Sequence, residues 1–511
     1  MKSFFLSVCL LIPSSLFPQT GEPVLYRAKA VHTVSGETFR PGELLVEKDR
    51  IIAVGKNLKS RSKPKLIDWP NLQIYPGLII PASSLGLAEI SALRPTRDYS
   101  EVGDCTPDVE AWVAVNPDSE LIPVARANGV GDALVAPMGG TIAGTSGLVR
   151  LDGWGVEAMT VKRPVAPHIW WPGLALNPAP KEQWSDPKQY KSLKEQAKNR
   201  KRVLAKIDDF FDDAEAYAQA KKVGGGNFAT VPAWEAMLTF LKGEAPVMVH
   251  ADELRQIKMV VAWAKRRKLR LILAGARDAW QTADLLAKEK VPVIFQHVFT
   301  APSRDFDPHD VHFRTPGFLV KAGVKTAIGL RLGSWTAANL RNLPYHAAHA
   351  VPYGLSRKDA LAAITLRPAE ILGVANRLGS LAKGKEATFL ATDGDLLDPR
   401  TNVRHLILAG KETSLESRHT RLYEKYRRRP GLAQGAEDKP MVIQVDKKGV
   451  VHIDGRAVVA DEVEGKLKGA KPTQVVIRAH KAATYAKIRG LMEIMSKLGI
   501  EQVSFATSND D

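Results

Sequence analysis

From about residue 77 to residue 375 the chain repeats one rhythm, a short apolar run with the composition of a strand followed by a stretch with helical spacing. The segment "APVMVHADELRQIKMVVAWAKRRKLRLILAG" holds strand, helix and strand, and "ADLLAKEKVPVIFQ" and "LVKAGVKTAIG" continue the pattern. Strands joined through helices lie parallel, so this rhythm dictates a parallel sheet covered by helices. That much chain suits a (β/α)8 barrel better than an open sheet, although spacing alone leaves both possible. Pro292 falls at a strand start, where a missing N–H costs least.

The flanks read differently. Residues 24–76 contain short alternating segments, "VLYRAKAVHTV", "GELLVEKDRIIAVG" and "KLIDWPNLQIY", broken by Gly and Pro, the texture of a small antiparallel sheet. Residues 377–425 return to short strands and turns and fit beside that sheet as one composite domain. Residues 427–439 are charged, contain Gly and Pro, and read as a linker. In 440–511 the expected order is ββαβαβ: a hairpin around Lys447, Lys448 and Gly449, a short helix with Asp461 near its start, the strand "QVVIRAH", a helix with Tyr485, Ile488, Met492 and Met495 on one face, and the closing strand "EQVSFAT".

The first residues, "MKSFFLSVCLLIPSSLFPQTGEP", give a lysine, a short apolar run and a small, polar exit. This is the pattern of an export signal, residues 1–20, rather than of a membrane helix. Cys9 follows Val8, where a lipid-anchoring signal would want a small residue. Removal of the signal would leave Cys105 as the one cysteine, so no internal disulfide is expected. The formal net charge of +17 fits an anionic cell-envelope surface or a well-solvated basic protein. No zinc-finger spacing, aromatic RNA-binding motif or long basic helix is present, so no nucleic-acid partner is expected.

Residues 24–425 resemble the amidohydrolase superfamily, in particular its exported imidazolonepropionase-like branch. The landmarks are "YPGLI", "SLGLAEI", "PVMVHADE", "DALAAITLRPAEILGVANRLGSLAKGKEATFLATDGDLLD" and "VRHLILAGKE". Residues 440–508 are similar to the periplasmic domain of ExbD/TolR biopolymer-transport proteins, on "VVHIDGRAV" and "VVIRAHKAATYAKIRGLMEIMSKLGIEQVSFAT". The resemblances imply an α/β fold: a (β/α)8 TIM-like barrel at 77–376, a composite β-sandwich from both chain ends at 24–76 and 377–425, and a small C-terminal α+β (ββαβαβ) domain at 440–511. ExbD/TolR relatives carry a transmembrane helix before this domain, where this chain has a linker from a preceding domain.

The family resemblance also implies a chemistry. Amidohydrolases hydrolyse C–N and related bonds with zinc or another divalent metal, which brings the pKa of bound water from about 15.7 to about 7. Their ligands are an HxH on strand one, often a carboxylated lysine on strand four, histidines on strands five and six, and an aspartate on strand eight. Here the HxH positions fall on Ala82 and Ser84. His250 matches the strand-five histidine, Gly275 stands at the strand-six position, and "TAIGLRLGS" lacks the aspartate. His250 is thus the single matched metal ligand and the one catalytic candidate, with Asp252 and Glu253 as neighbouring carboxylates. One ligand does not make a zinc site.

Other groups compete for attention. "DPHDVH" brings His309, Asp310 and His312 close in sequence but reads as a loop, and "YHAAH" sets His346 and His349 on a packed or solvated helix face. "GGTIAGTSG" reads as a loop over the barrel mouth, since it lacks the Lys-Ser/Thr ending of a phosphate loop. Trp170 and Trp171 either stack on a ligand or cap the barrel, and Lys181–Arg202 reads as an exposed basic helix. The expected function is that of an amidohydrolase-like protein with a degenerate metal site. The alternative is a ligand-binding or scaffolding protein holding a small molecule in the barrel and contacting an envelope partner, or itself, through the last domain.

Overall fold

The computed structural model describes residues 22–224, 228–427, 441–453, 456–470, 472, 474–500 and 502–508. The expected export signal, and all of the expected linker except Arg427, lie outside the described residues. The chain divides into two compact units between Arg418 and His419. No helix among the described residues is long and apolar enough to cross a membrane.

In the first unit, a TIM-barrel-like arrangement of strands is built from two ladders, one of six strands and one of four. The six run in the order Thr326–Ile328, Val293–Phe295, Leu271–Gly275, Val247–Ala251, Pro167–Trp170 and Ile142–Thr145, while Leu78–Ser83 and Val130–Val135 pair in the second. The strands from Pro167 to Ile328 are parallel. Each alternates its side chains between two covered faces, which is why Leu271–Gly275 and Val293–Phe295 read as unbroken apolar runs. Ile79, Ala82, Leu134, Met248, Ile272, Ala274, Ile294 and Ala327 fill the inside. Val249, Leu273, Val293 and Phe295 face outward and pack with Ile257, Val260 and Trp263 of the Leu254–Arg266 helix. Such two-sided burial is worth about 1.5–3 kcal/mol per large apolar side chain.

The barrel is not wholly parallel as expected, and the reason lies in "GGTIAGTSG". This stretch is no loop: Ile142–Thr145 pairs antiparallel with Pro167–Trp170, and Gly147–Arg150 pairs antiparallel with Val130–Val135. Its glycines permit close packing. A Cβ on Gly144, at φ +118°, would meet the Val109 carbonyl oxygen at 2.8 Å, and one on Gly147 would meet the Trp112 ring at 2.8 Å.

Strands from both sides of the barrel segment share one eight-stranded mixed sheet, in which Phe389–Thr392 pairs with the Lys65–Pro76 strand. Tyr26, Leu44, Ile51, Ile74, Phe389 and Ile407 form its core. The expected basic helix over Lys181–Arg202 starts only at Leu193, where Ser192 and Glu195 form a capping box, and it then runs to Val223.

The second unit holds a five-stranded sheet in the order Arg456–Val458, Val451–Ile453, Met441–Val445, Gln474–His480, Gln502–Ser508, with helices Ala460–Ala470 and Tyr485–Lys497. A third strand, Arg456–Val458, thus precedes the first helix, where two were expected. The buried face of the last helix also differs from the expected one. Leu491 and Met495 are buried, whereas Tyr485 is 75% and Met492 44% exposed. Turning by about 100° per residue, the helix brings Ile488, Leu491 and Met495 onto the sheet and carries Met492 off it.

Candidate functional site

The carboxyl ends of barrel strands are where loops build sites, and four histidines lie there or just below. The parallel register sets His168 beside Met248 and Trp170 beside His250, so alternation turns all four side chains to one face of the ladder. His168 Nδ1 lies 2.9 Å from His250 Nε2. The Trp170 ring stacks on the His250 ring, with centroids 4.0 Å apart and planes 8° from parallel.

Burial dominates the electrostatics of this pair. It pulls His250 down to about 4, against the opposing influence of Asp252. It also holds His168 well below the usual histidine range, with His250 adding to the effect. Both rings are therefore neutral at pH 7, and the shared hydrogen bond takes a proton from one and a lone pair from the other. His168 Nε2 and Trp170 Nε1 are buried with no hydrogen-bond partner among the described residues.

Beside this pair, Asp252 and His297 are joined through Oδ1 and Nε2 at 2.8 Å. Burial acts to raise the Asp252 carboxyl, yet the His297 bond and the Arg277 charge outweigh it and leave the group below its usual range. A carboxylate only accepts, so Asp252 fixes the proton on His297 Nε2 and leaves Nδ1 facing Thr300 Oγ1 at 3.3 Å. The Thr300 hydroxyl donates at 2.9 Å to the His297 carbonyl, and His312 Nδ1 donates at 2.8 Å to the Thr300 carbonyl. The three residues thus close a turn onto the Val311–Lys321 helix.

The positions at which the sequence resemblance places the family's metal ligands are filled by other contacts. Ala82 is wholly buried among apolar interior side chains. Ser84 Oγ accepts from the Gly333 N–H at 3.2 Å. A Cβ on Gly275, at φ +84°, would lie 2.5 Å from Asp252 Oδ1, so that carboxylate occupies the space of a strand-six side chain. The strand-four segment Pro167–Trp170 contains no lysine. Among the described residues no group of three or more His, Cys, Asp or Glu side chains is arranged to hold a metal ion. The donor set therefore does not fit the family's divalent metal.

The remaining sequence candidates separate. His309 is exposed, Asp310 pairs with Arg314 at 2.7 Å, and His312 is buried on a helix rather than in the expected loop. His346 and His349 pack around Phe299, with ring centroids 4.5 and 4.9 Å away. Trp171 turns from His250 to pack edge-on against Trp263 at 5.3 Å. Sequence reasoning missed His168 and His297. The first was readable from "PHIW", where period-two alternation sets His168 and Trp170 on one face; the second had no local signal.

Residues 156–413 match the model of the amidohydrolase family, and residues 416–510 match that of the biopolymer transport protein ExbD/TolR. The amidohydrolase tasK of Hapsidospora irregularis is 22% identical over 419 residues, covering 74% of this chain and 40% of its own length. This chain thus spans less than half of that relative. The crystal structure of an amidohydrolase from Thermotoga maritima MSB8 shares the fold, with a TM-score of 0.66 and 24% identity over 76% of this chain and 99% of that one. The barrel architecture, the mixed flanking sheet and the matched segments together identify this chain as a member of the amidohydrolase family that carries an ExbD/TolR-type domain at its C-terminal side.

Proposed function

We propose that this barrel is an amidohydrolase scaffold whose metal-dependent hydrolysis of C–N bonds has been lost, and that the protein acts as a ligand-binding or scaffolding component of the cell envelope. One observation carries the reading. His250 Nε2 lies 2.9 Å from His168 Nδ1, inside the barrel-strand ladder. A single imidazole already engaged in a buried hydrogen bond is a poor anchor for a cation that needs three or four donors. The signal-like first residues and the net charge of +17 support export to an anionic envelope. The ExbD/TolR-type domain would contact an envelope partner or a second copy of itself.

The reading in which His250 is a catalytic base or metal ligand has less support, because the ring is 7% exposed and covered by Trp170. Elemental analysis of the purified full chain decides between the two. Well below 0.1 equivalent of zinc, iron or manganese is expected after dialysis without chelator. One tightly held equivalent, lost in a His250→Ala variant, would restore the hydrolase.

A further inference from the structure

Beside the barrel axis, over the ends of the Val247–Ala251 and Leu271–Gly275 strands, lies a cleft of about 670 Å3 whose lining includes Glu253, Arg255, Arg277, Trp280, Arg304 and Phe306. Two of the charged groups are already committed. Arg304 pairs with Asp278 and Asp307. Glu253 accepts from the Leu174 and Ala175 N–H groups at 3.2 and 3.1 Å and caps the Leu254–Arg266 helix.

The others are less fully engaged. Arg277 Nε forms an ion pair with Asp278 Oδ1 at 3.5 Å but no hydrogen bond, and it and Trp280 Nε1 are buried donors with no hydrogen-bond acceptor among the described residues. Arg255 is exposed and makes no ion pair among the described residues. Phe306, a ring 82% exposed, stands at the same cleft. Buried N–H groups are rarely left unpaired, and the exposed Phe306 ring makes no aromatic or cation contact among the described residues. The two carboxylates of the cleft are already engaged, Glu253 by the Leu174 and Ala175 N–H groups and Asp307 by Arg304, so what Arg255, Arg277 Nε and Trp280 Nε1 lack is a further acceptor with negative charge and a flat apolar face.

We infer that this cleft binds a small aromatic carboxylate, its anionic end between Arg255 and Arg277 and its ring against Trp280 and Phe306. The inference rests on the binding role proposed above only in requiring recognition without hydrolysis; the cleft itself does not involve His250 or a metal.

Titration calorimetry on the full chain tests it with indole-3-acetate against neutral indole-3-acetamide, in EDTA and again with added zinc. Saturable binding of the anion is expected, at least tenfold tighter than the amide, weakened on raising NaCl from 50 to 500 mM and indifferent to zinc. Arg255→Gln and Trp280→Phe should each weaken the anion at least threefold, while Lys290→Gln, remote from the cleft, leaves it unchanged. Equal affinity for acid and amide, no saturation by 10 mM of either, or no effect of Arg255→Gln and Trp280→Phe overturns the assignment. Zinc-dependent turnover of the amide would instead overturn the proposed loss of hydrolysis and leave the cleft's anion preference standing on its own measurement.

Discussion

Gly275 and Asp252 compete for one volume: a Cβ on Gly275 would sit 2.5 Å from the Asp252 oxygen that holds His297 at 2.8 Å. Gly275→Ala should therefore push Asp252 away and place a Cβ at φ +84°, costing on the order of 2–4 kcal/mol. Urea unfolding of wild type and variant measures this. A difference within about 0.5 kcal/mol would mean that the carboxylate does not fill that space.

His250→Ala removes the bond to His168 and the ring beneath Trp170, leaving a second unpaired nitrogen on a wholly buried imidazole. A loss of about 2–4 kcal/mol is expected, with His250→Gln recovering part of it by offering His168 a polar neighbour. Metal content should not change. If His250→Ala is as stable as wild type, the pair is not the buried unit described here.

Acid should destabilise the fold between pH 6.5 and 4. Burial holds His250 and His346 down at about 4, from an ordinary 6.5, and His168 also well below it. In that window the unfolded chain binds more protons than the folded one, so stability falls as pH falls. Asp132 opposes this. Burial, outweighing Arg150, raises it from 3.8 to about 6, so its cost is present above pH 6 and fades toward pH 4. Asp132→Asn should thus steepen the loss of stability from pH 6 to 4, as read by denaturant midpoints across that range. An unchanged slope would show that Asp132 is ionised as freely in the fold as out of it.

In the second unit, Met495 is 1% and Met492 44% exposed. Met495→Ala should cost about 2–5 kcal/mol and Met492→Ala less than about 0.5. Amide exchange of the Gln474–His480 and Gln502–Ser508 strands in the full chain reports both, and equal protection in the two variants would refute the helix orientation.

Added zinc should leave the melting temperature of the first unit unchanged to within about 1 °C at concentrations where a micromolar site would raise it, since a ligand bound only by the folded state stabilises by mass action. A saturating upward shift would reveal a site assembled from residues other than those compared above.

The sequence by itself determined the parallel strands from Val247 to Ile328, because burial on both faces demands apolar runs and a crossover helix demands its own period. It also carried the expectation that Ala82, Ser84 and Gly275 stand at the family's ligand positions without an imidazole or carboxylate, since side-chain chemistry is local information. It did not determine that "GGTIAGTSG" forms antiparallel strands, because close backbone approach to Val109 and Trp112 depends on which segments meet. Only the tertiary structure decided that His250 meets His168, eighty-two residues away, and that Asp252 enters the space beside Gly275 to hold His297. Those contacts depend on register between strands distant in sequence, and register is fixed by the packing of the whole barrel rather than by any one segment.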